Sequence, residues 1–245
     1  MPAVTAVVTG GASGLGAIIA RRLHADGHAV AIADVDGEGA RDLAAALDPA
    51  TARGHTADVT DRAALVGLLE SVRAEFGPVQ VLVNNAARTR ATPLFEIGPE
   101  ELEEVMAVNF TGTFHACQIF GRHMAEQGYG RIVNMASLAG QNGGTATGGH
   151  YASSKGAIMS ATKVFARELA ARGVTVNAVS PGPQDSPTVR AIVGERNLEA
   201  FQRAIPVGRL GDPAFVADAV ALLASPAAHS VTGACWDING GLHMR

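Results

Sequence analysis

The sequence has few cysteines, few aromatic residues and no long apolar run, and each shortage excludes a class of protein. Two cysteines, Cys117 and Cys235, in 245 residues cannot form a disulfide framework, and their apolar neighbours predict buried, reduced thiols. A membrane span needs about 18 consecutive apolar residues, and the sequence contains no such run. His and Cys residues do not cluster at ligand spacing, so we expect no metal site.

The charge balance and the N-terminal residues exclude further classes. The net charge is −4 and the pI is near 6.0, so the basic surface typical of nucleic-acid binding is not expected. The segment "MPAVTAVVTGG" lacks the basic region followed by an apolar region that marks a signal peptide. We therefore expect a soluble, cytoplasmic protein whose partner is a small molecule, with no membrane or nucleic-acid partner.

Short runs of β-branched and small residues recur along the chain and predict strands. Continuous apolar runs of this kind are typical of strands that are buried on both faces of a parallel sheet. Amphipathic stretches between them predict helices, which alternate with the strands as stacked βαβ units in one domain, residues 1–245. The predicted strands are 3–9, 29–34, 54–58, 79–85, 130–137, 174–180 and 235–238, and the predicted helices include 15–27, 61–77, 100–127 and 151–172.

Two features of this pattern bear on boundaries and on function. Gly27 and Gly77 are predicted to end helices, and Asp61 is predicted to cap one. Segment 183–210 is rich in proline and charge and is the least regular part of the chain. Because it follows a strand, we expect it to cover a ligand.

A glycine-rich turn, "TGGASGLG", directly follows the first predicted strand and opens the first helix. Gly10, Gly14 and Gly16 permit a tight turn and a close backbone approach to a pyrophosphate at a positive helix end. Loops of small residues also favour glycine, so the turn alone is a weak signal. The context of a strand before it, a helix after it and an acid at the end of the next strand strengthens the signal.

That acid is Asp34, which lies eighteen residues after Gly16. A carboxylate there can accept hydrogen bonds from the ribose hydroxyls of adenosine and repels a 2′-phosphate. The glycine turn contains no Arg or Lys, and none directly follows Asp34. The sequence therefore predicts NAD rather than NADP.

Tyr151 and Lys155 lie four residues apart and share one face of a predicted helix. This pair is either an accident of a helix surface or an acid–base pair. An ammonium group near a phenol favours the phenolate, so we expect the lysine to lower the tyrosine pKa towards the operating pH. Ser137 ends the preceding strand, where it can bind a substrate oxygen, and Asn109 can hold a water near Lys155.

Together these motifs resemble the short-chain dehydrogenase/reductase family, in its single-domain branch, over nearly the whole chain. The family's glycine motif matches Thr9 to Gly16, and its N-N-A-G motif matches Asn84 to Ala86. The catalytic residues that the resemblance implies are Asn109, Ser137, Tyr151 and Lys155. The cofactor-binding residues that it implies are Gly10, Ser13, Gly14, Leu15, Gly16, Asp34, Asp58, Val59, Asn85, Ala86, Tyr151, Lys155, Pro181, Gly182, Gln184 and Ser186.

The resemblance implies a three-layer Rossmann fold with a doubly wound, seven-stranded parallel sheet. It implies that hydride passes between a carbinol carbon and nicotinamide. In this scheme Tyr151 exchanges the hydroxyl proton, Lys155 lowers its pKa and binds the nicotinamide ribose, Ser137 positions the substrate oxygen, and Asn109 supports the proton relay. It also implies a homotetramer in which helices 100–127 and 151–172 pair across one interface.

The chain departs from the family pattern at a few positions. Ala87 replaces the glycine of N-N-A-G, Gln184 replaces an aliphatic residue, and Ser186 replaces threonine. One residue is added between Ser137 and Tyr151, and we place it within 141–150, the wall of the substrate pocket. For His150 a solvent-facing position at the helix start is preferred over a contact with substrate.

Several functions remain open at this point. The leading hypothesis is an NAD-dependent oxidoreductase that interconverts a secondary alcohol and a ketone, with oxidation of a cyclic, aryl or small aliphatic alcohol preferred. The chain also resembles 3-oxoacyl-acyl-carrier-protein reductases, in which Arg131 and Arg172 match carrier-docking positions, although solvated arginines are the preferred interpretation. A non-catalytic NAD-binding regulator is disfavoured because Tyr151, Lys155 and Ser137 are all present. An NAD-dependent epimerase or dehydratase also uses Tyr and Lys at this spacing, but such an enzyme usually has an additional C-terminal substrate domain, for which 245 residues leave little room.

Overall fold

The computed structural model describes residues 4–144 and 147–244, in which seven strands form one parallel sheet. The strand order is β3-β2-β1-β4-β5-β6-β7, which confirms the predicted doubly wound α/β fold. The order reverses between β1 and β4, so a ligand crevice is expected beyond the carboxyl ends of these two strands. The strands are β1 Thr5–Thr9, β2 Ala29–Asp34, β3 Ala52–Thr56, β4 Val79–Asn84, β5 Gly130–Met135, β6 Val174–Pro181 and β7 Cys235–Ile238.

Helices cover both faces of this sheet. The α-helices are α1 Gly14–Ala25, α2 Gly37–Leu47, α3 Arg62–Phe76, α4 Pro99–Met106, α5 Thr113–Gln127, α6 Ala139–Asn142, α7 Gly149–Leu169, α8 Pro187–Val193, α9 Glu195–Arg203 and α10 Pro213–Ala224. Short 3₁₀ turns lie at Leu94–Glu96, Ala170–Arg172 and Pro226–Ser230. Among the described residues, no helix has the length and apolar character that crossing a membrane requires.

Alternate residues of the central strands enter two separate cores. Val8 and Ile32 point into the core under α1 and α10, whereas Val7 and Leu82 point into the core under α3, α5 and α7. All four side chains are fully buried. The continuous apolar runs of the sequence thus correspond to strands that are covered on both faces.

Several predicted boundaries are confirmed at the level of single residues. The Asp61 carboxylate accepts a hydrogen bond from the amide of Ala63 and caps α3. Gly77 closes that helix with φ of 85°, and Gly27 follows α1 with φ of 88°. Positive φ is a conformation that glycine adopts without steric cost, so these residues are well suited to end the helices.

Other boundaries differ from the predictions. Strand β3 spans residues 52–56 rather than 54–58, because the Asp58 carboxylate accepts hydrogen bonds from the amide and hydroxyl of Thr60 and turns the chain. Strand β5 ends at Met135, two residues before Ser137. Segment 183–210 is not irregular, because it contains α8 and α9. Ser186 caps α8 by accepting from the amide of Val189.

The predicted long helix at 100–127 contains a change of geometry. Residues 107–112 form a π-helical turn between α4 and α5. Such turns insert one residue into the helical repeat and commonly mark functional positions. Here the turn contains Asn109, whose side chain is completely buried.

Candidate active site

The glycine turn connects β1 to α1 and packs against the end of β4. Gly10 and Gly14 have φ of 62° and 53°. A Cβ atom on Gly16 would lie 2.0 Å from the carbonyl oxygen of Gly10, so only glycine fits there. Asn85 Nδ2 donates to the carbonyl oxygens of Gly10 at 2.8 Å and Thr9 at 3.2 Å, which fixes the turn against β4.

The start of α1 presents open space to a ligand. The Ser13 side chain makes no capping hydrogen bond to the described residues, and no described atom lies within 4 Å of the position of a Cβ on Gly14. Leu15 is partly buried beside them and packs against the core. The amides of this first turn are therefore available to an anion at the positive end of the helix, and the residues present fit the pyrophosphate of a dinucleotide.

Two carboxylates follow neighbouring strands at the same edge of the sheet. Asp34 ends β2, and its carboxylate accepts hydrogen bonds of 3.0 Å from the amides of Ala12 and Asp36. Asp58 follows β3 and is exposed, whereas Val59 beside it is buried against Gly112. Asp34 is thus held directly beside the glycine turn, where the resemblance predicts the adenosine ribose.

Tyr151 and Lys155 lie on the first turns of α7 and face the end of β5. Lys155 is only 3% exposed. Its Nζ donates to the carbonyl oxygen of Met135 at 2.6 Å and lies 5.8 Å from the centre of the Tyr151 ring. Burial lowers the pKa of Lys155 to about 8. A shift of that sign is expected when an ammonium group is removed from water without a carboxylate beside it.

The tyrosine pKa differs in direction from the sequence-based expectation. Burial raises the pKa of Tyr151, while hydrogen bonds with the side chains of Ser137 and Thr89 act in the opposite direction. The predicted lowering by Lys155 is wrong for this structure. The physical reason is that removing the phenolate from water outweighs the favourable interactions around it.

Asn109 connects three parts of the chain through hydrogen bonds. Its Oδ1 accepts from the amide of Arg88 at 2.7 Å, and its Nδ2 donates to the carbonyl oxygen of Arg88 at 3.1 Å and to Ser154 Oγ at 3.0 Å. The Asn109 carbonyl oxygen accepts from Thr113 Oγ1 at 2.8 Å. The side chain therefore joins the π-helical turn to α7 and to the loop after β4.

The ends of β5 and β6 place the remaining predicted residues. The amide of Leu138, next to Ser137, donates to the carbonyl oxygen of Pro181 at 2.9 Å, and the amide of Gly182 donates to Ile238 at 2.8 Å. Gln184 Nε2 donates to the carbonyl oxygens of Gly182 and Ile238, which orients the amide. Its Oε1 is buried and accepts no hydrogen bond from the described residues.

The structure brings the predicted catalytic residues to one edge of the sheet. Ser137 acts to lower the pKa of Tyr151, Lys155 Nζ lies 5.8 Å from the centre of the tyrosine ring, and Asn109 connects to the same helix through Ser154. Asn85 and Ala86, at the end of β4, complete the crevice at the point where the strand order reverses. Among the described residues, no group of three or more His, Cys, Asp or Glu side chains could hold a metal ion.

His150 does not face solvent, as the sequence analysis preferred. It is 3% exposed, and its Nε2 lies 2.8 Å from Glu101 Oε1. The same Glu101 oxygen accepts from Thr92 Oγ1 at 2.6 Å. Gly148 leaves room for the imidazole, because a Cβ there would lie 2.2 Å from the ring. Proximity to Glu101, on a helix distant in sequence, is the physical reason for the difference.

Arg131 is neither solvated nor available to a carrier protein. It is 4% exposed, its guanidinium donates to the carbonyl oxygens of Ser225 and Gly130, and it lies 4.4 Å from the centre of the Tyr129 ring. Arg131 therefore joins the start of β5 to the end of α10. Arg172, in contrast, is exposed after α7.

Sequence reasoning did not identify Thr89 or Glu101 as site residues. Thr89 lies four residues after Asn85, in the loop that leaves the carboxyl end of β4. Residues in such a position face the ligand crevice of a doubly wound sheet, so this position was the available signal. For Glu101 the sequence contains no comparable signal, because its partner His150 is distant in sequence.

Comparisons with known proteins agree with this geometry. A family model described as enoyl-(acyl carrier protein) reductase matches residues 10–243. The 3-oxoacyl-[acyl-carrier-protein] reductase FabG of Escherichia coli (strain K12) is 37% identical over 241 residues, which is 98% of this chain and 97% of that protein. D-threitol dehydrogenase of Mycolicibacterium smegmatis is 40% identical over 251 residues, which is 98% of this chain and 93% of that enzyme.

A solved structure gives the same result. The crystal structure of an actinorhodin polyketide ketoreductase variant with NADPH aligns with a TM-score of 0.92 and 35% identity, covering 98% of this chain and 97% of that chain. The chain therefore belongs to the short-chain dehydrogenase/reductase family and is an oxidoreductase that uses a nicotinamide cofactor.

Proposed function

We propose that this chain interconverts a secondary alcohol and a ketone with NAD, using Tyr151 as the general acid and base. The observation that carries the proposal is the position of the Tyr151 ring, whose centre lies 5.8 Å from the buried ammonium of Lys155, at the end of β5 two residues before Ser137. An acid–base group of this kind, beside a hydroxyl that can hold the substrate oxygen, suits proton transfer coupled to hydride transfer. The cofactor, when bound, accepts or supplies the hydride.

The roles of the protein groups follow from their positions. In alcohol oxidation the substrate hydroxyl loses its proton to the Tyr151 phenolate as the carbinol carbon loses hydride. In ketone reduction the Tyr151 hydroxyl donates its proton to the oxygen on which negative charge develops. Ser137 Oγ orients that oxygen, and the ammonium of Lys155, which has two N–H groups beyond the one bonded to Met135, can bind ribose hydroxyls.

Asp34 favours NAD over NADP. Its carboxylate lies beside the glycine turn, bonded to the amide of Ala12, and a 2′-phosphate at the ribose would meet this negative charge. The similar ketoreductase structure contains NADPH, so family membership alone does not decide between the cofactors. The position of Asp34 supports the NAD assignment.

Replacement of Tyr151 by phenylalanine tests the assigned chemistry. We expect Tyr151→Phe to lose about 10²–10⁴-fold in kcat, the range of a general acid–base group, with nearly unchanged NADH binding by fluorescence titration. The matched control is Tyr129→Phe, which removes a buried hydroxyl that has no hydrogen-bond partner among the described residues. Turnover by Tyr151→Phe at the wild-type rate would exclude the tyrosine as the acid–base group.

A second candidate function is reduction of a 3-oxoacyl thioester, which the similarity to FabG and to the polyketide ketoreductase favours. Two substrate panels separate the candidates: 3-hydroxyacyl thioesters, and cyclic, aryl and aliphatic secondary alcohols, each with NAD and NADP. Turnover of free alcohols alone supports the first candidate. Turnover of carrier-linked thioesters supports the second, and Arg172→Glu should then raise KM for the carrier-linked substrate only.

We also propose a homotetramer in which α5 and α7 contribute to one interface. Phe114 of α5 and Phe165 of α7 contact each other with ring centres 4.9 Å apart. Val164, next to Phe165, leaves 49% of its area exposed, and an apolar side chain on this helix suits contact with a second copy. Light scattering should give four times the chain mass, and Val164→Asp should reduce it. A monomer in the wild type would contradict the proposal.

A further inference from the structure

Two buried side chains flank Tyr151 on α7, and each contacts the segment that contains α4 and the π-helical turn. His150 Nε2 lies 2.8 Å from Glu101 Oε1, and Ser154 Oγ accepts from Asn109 Nδ2 at 3.0 Å. His150 is 3% exposed, and Ser154 is completely buried. The first turns of α7, which carry the tyrosine, are therefore held by one polar contact before it and one after it.

The same oxygen of Glu101 also holds the loop after β4. Glu101 Oε1 accepts from Thr92 Oγ1 at 2.6 Å, in addition to its contact with His150. An ionised carboxylate is an acceptor only, so the proton in the contact with His150 belongs to Nε2. One carboxylate oxygen thus joins α4 to two other elements, namely the helix that carries Tyr151 and the loop that borders the ligand crevice.

The loop and the start of α7 are also bonded directly to each other beside this oxygen. The amide of Gly148 donates to the carbonyl oxygen of Arg90 at 2.7 Å. The His150 ring packs against Gly148, since a Cβ at that glycine would lie 2.2 Å from the ring. Loss or displacement of the imidazole should therefore disturb the hydrogen bond between the helix and the loop.

Glu104, one turn further along α4, differs from Glu101 in this respect. Its carboxylate pairs with Arg88 and Arg90 of the same loop, and its side chain is 43% exposed. It makes no hydrogen bond or ion pair with α7 among the described residues. Exposed ion pairs contribute little to stability, so we expect little effect of Glu104 on the placement of Tyr151.

We propose that Glu101 and His150 form a positioning pair, which fixes the start of α7 at Tyr151 and the loop at residues 88–92 relative to each other. The proposal rests on the proposed function of Tyr151, because it concerns where that hydroxyl lies. Neither side chain of the pair needs to touch substrate or cofactor. A misplacement of about 1 Å can cost about 10²-fold in rate, so such a pair affects catalysis through Tyr151.

Two substitutions of His150 separate its hydrogen bond from its bulk. His150→Gln retains an N–H donor at about the position of Nε2, whereas His150→Leu fills the space without a donor. With the alcohol that the panels identify, we expect His150→Leu to lower kcat about tenfold and to raise KM. His150→Gln should keep kcat within about twofold of the wild type, and both variants should keep NADH affinity within about twofold.

Thr92→Val tests the loop side of the same oxygen. It removes the hydroxyl that donates to Glu101 and leaves the contact with His150 in place. We therefore expect a higher KM with little change in kcat, because the wall of the crevice loosens while Tyr151 remains in position. A fall in kcat as large as that in His150→Leu would show that the two sides of the pair do not act separately.

A second buried histidine controls for a general loss of stability. His123 is 8% exposed, and its Nε2 accepts from the amide of Val79 at 3.2 Å, at the start of β4 and away from the crevice. His123→Leu should lower the urea midpoint without lowering kcat, and Glu104→Ala should change neither value. An equal fall in kcat in His123→Leu and His150→Leu would overturn the proposal, because destabilisation alone would then explain it.

Hydrogen exchange gives a readout that does not depend on turnover. The amide of Gly148 should exchange about tenfold faster in His150→Leu than in the wild type, and at the wild-type rate in His150→Gln. Wild-type exchange in His150→Leu would refute the pair, and wild-type kcat in that variant would refute its role in placing Tyr151. Faster exchange together with a wild type that oxidises no alcohol of either panel would count against the proposed function and not against the pair.

Discussion

Replacing Asp34 by asparagine separates the charge of this residue from its hydrogen bonds. The asparagine carbonyl oxygen can still accept from the amide of Ala12, which the Asp34 carboxylate now does at 3.0 Å. The shape of the glycine turn should therefore survive. The change that remains is the loss of one negative charge at the place where the adenosine ribose is predicted to bind.

The size of the effect follows from Coulomb's law in a half-exposed site. Two unit charges about 4 Å apart interact by about 1 kcal/mol in water and about 4 kcal/mol at an effective dielectric constant near 20. For a dianionic 2′-phosphate near a partly screened carboxylate, about 2 kcal/mol is a conservative value, which is about thirtyfold in affinity. Asparagine also binds the ribose hydroxyls of NAD less strongly than a carboxylate does, by about 1 kcal/mol.

The assay is the pair of dissociation constants for NADH and NADPH, measured by cofactor fluorescence at low and high salt. The dissociation constant of NADPH divided by that of NADH should fall at least thirtyfold in Asp34→Asn at low salt, and by less at high salt, because salt screens exposed charges. Asp36→Asn is the control, since it removes a charge two residues away and retains the acceptor that caps α2. An unchanged ratio in Asp34→Asn, or an equal change in Asp36→Asn, would refute the ribose assignment.

Three further predictions concern buried groups. The pKa of Lys155 is about 8 in the folded chain and higher in the unfolded chain, so the unfolded chain binds more protons between about pH 8 and 10.5. Burial of the charged lysine therefore lowers the free energy of unfolding in full below about pH 8, and this loss disappears as the pH rises. Lys155→Met should therefore stabilise the cofactor-free chain at pH 7 by up to about 3 kcal/mol in urea unfolding, with the gain shrinking towards pH 10; a variant that is less stable at both pH values would contradict this. Glu101→Ala should lower the urea midpoint and raise KM, because His150 loses its partner, whereas Glu101→Gln should retain both values; equal effects of the two variants would show that charge, not hydrogen bonding, is what matters. Arg131→Met should destabilise the chain by about 2 kcal/mol or more, because buried carbonyl oxygens lose their donor; normal stability combined with a raised KM for a carrier-linked substrate would restore the docking interpretation.

The strands and the glycine turn could be predicted because their physical causes are local. Continuous β-branched runs predict strands that are buried on both faces. A glycine-rich turn between a strand and a helix predicts a close backbone approach to a phosphate group. The same holds for Asp61, Gly27 and Gly77, whose capping roles depend on neighbouring backbone. The end of β3 was misplaced because the turn at Asp58 depends on a side chain, which hydropathy does not describe.

The burial of His150 and Arg131 could not be predicted, because their partners are distant in sequence. Arg131 meets the end of α10 almost a hundred residues later, and His150 meets Glu101 across two helices. The π-helical turn at Asn109 is equally hidden, since one inserted residue hardly changes the apolar pattern of a long helix.

Buried polar groups in this chain differ in how many of their donors and acceptors have hydrogen-bond partners. This difference distinguishes a group that stabilises the fold from one that can bind a ligand. Asn134 accepts from Asn84 and donates to Thr162, so both ends of its amide are satisfied within the core. Lys155 donates to the carbonyl oxygen of Met135, the next residue of the same strand, and two of its three N–H groups are available to a ligand. A buried ammonium with spare donors lowers the stability of the cofactor-free chain, and burial shifts its pKa accordingly. In the proposed function, the hydroxyls of a bound ribose are the acceptors that complete its hydrogen bonds.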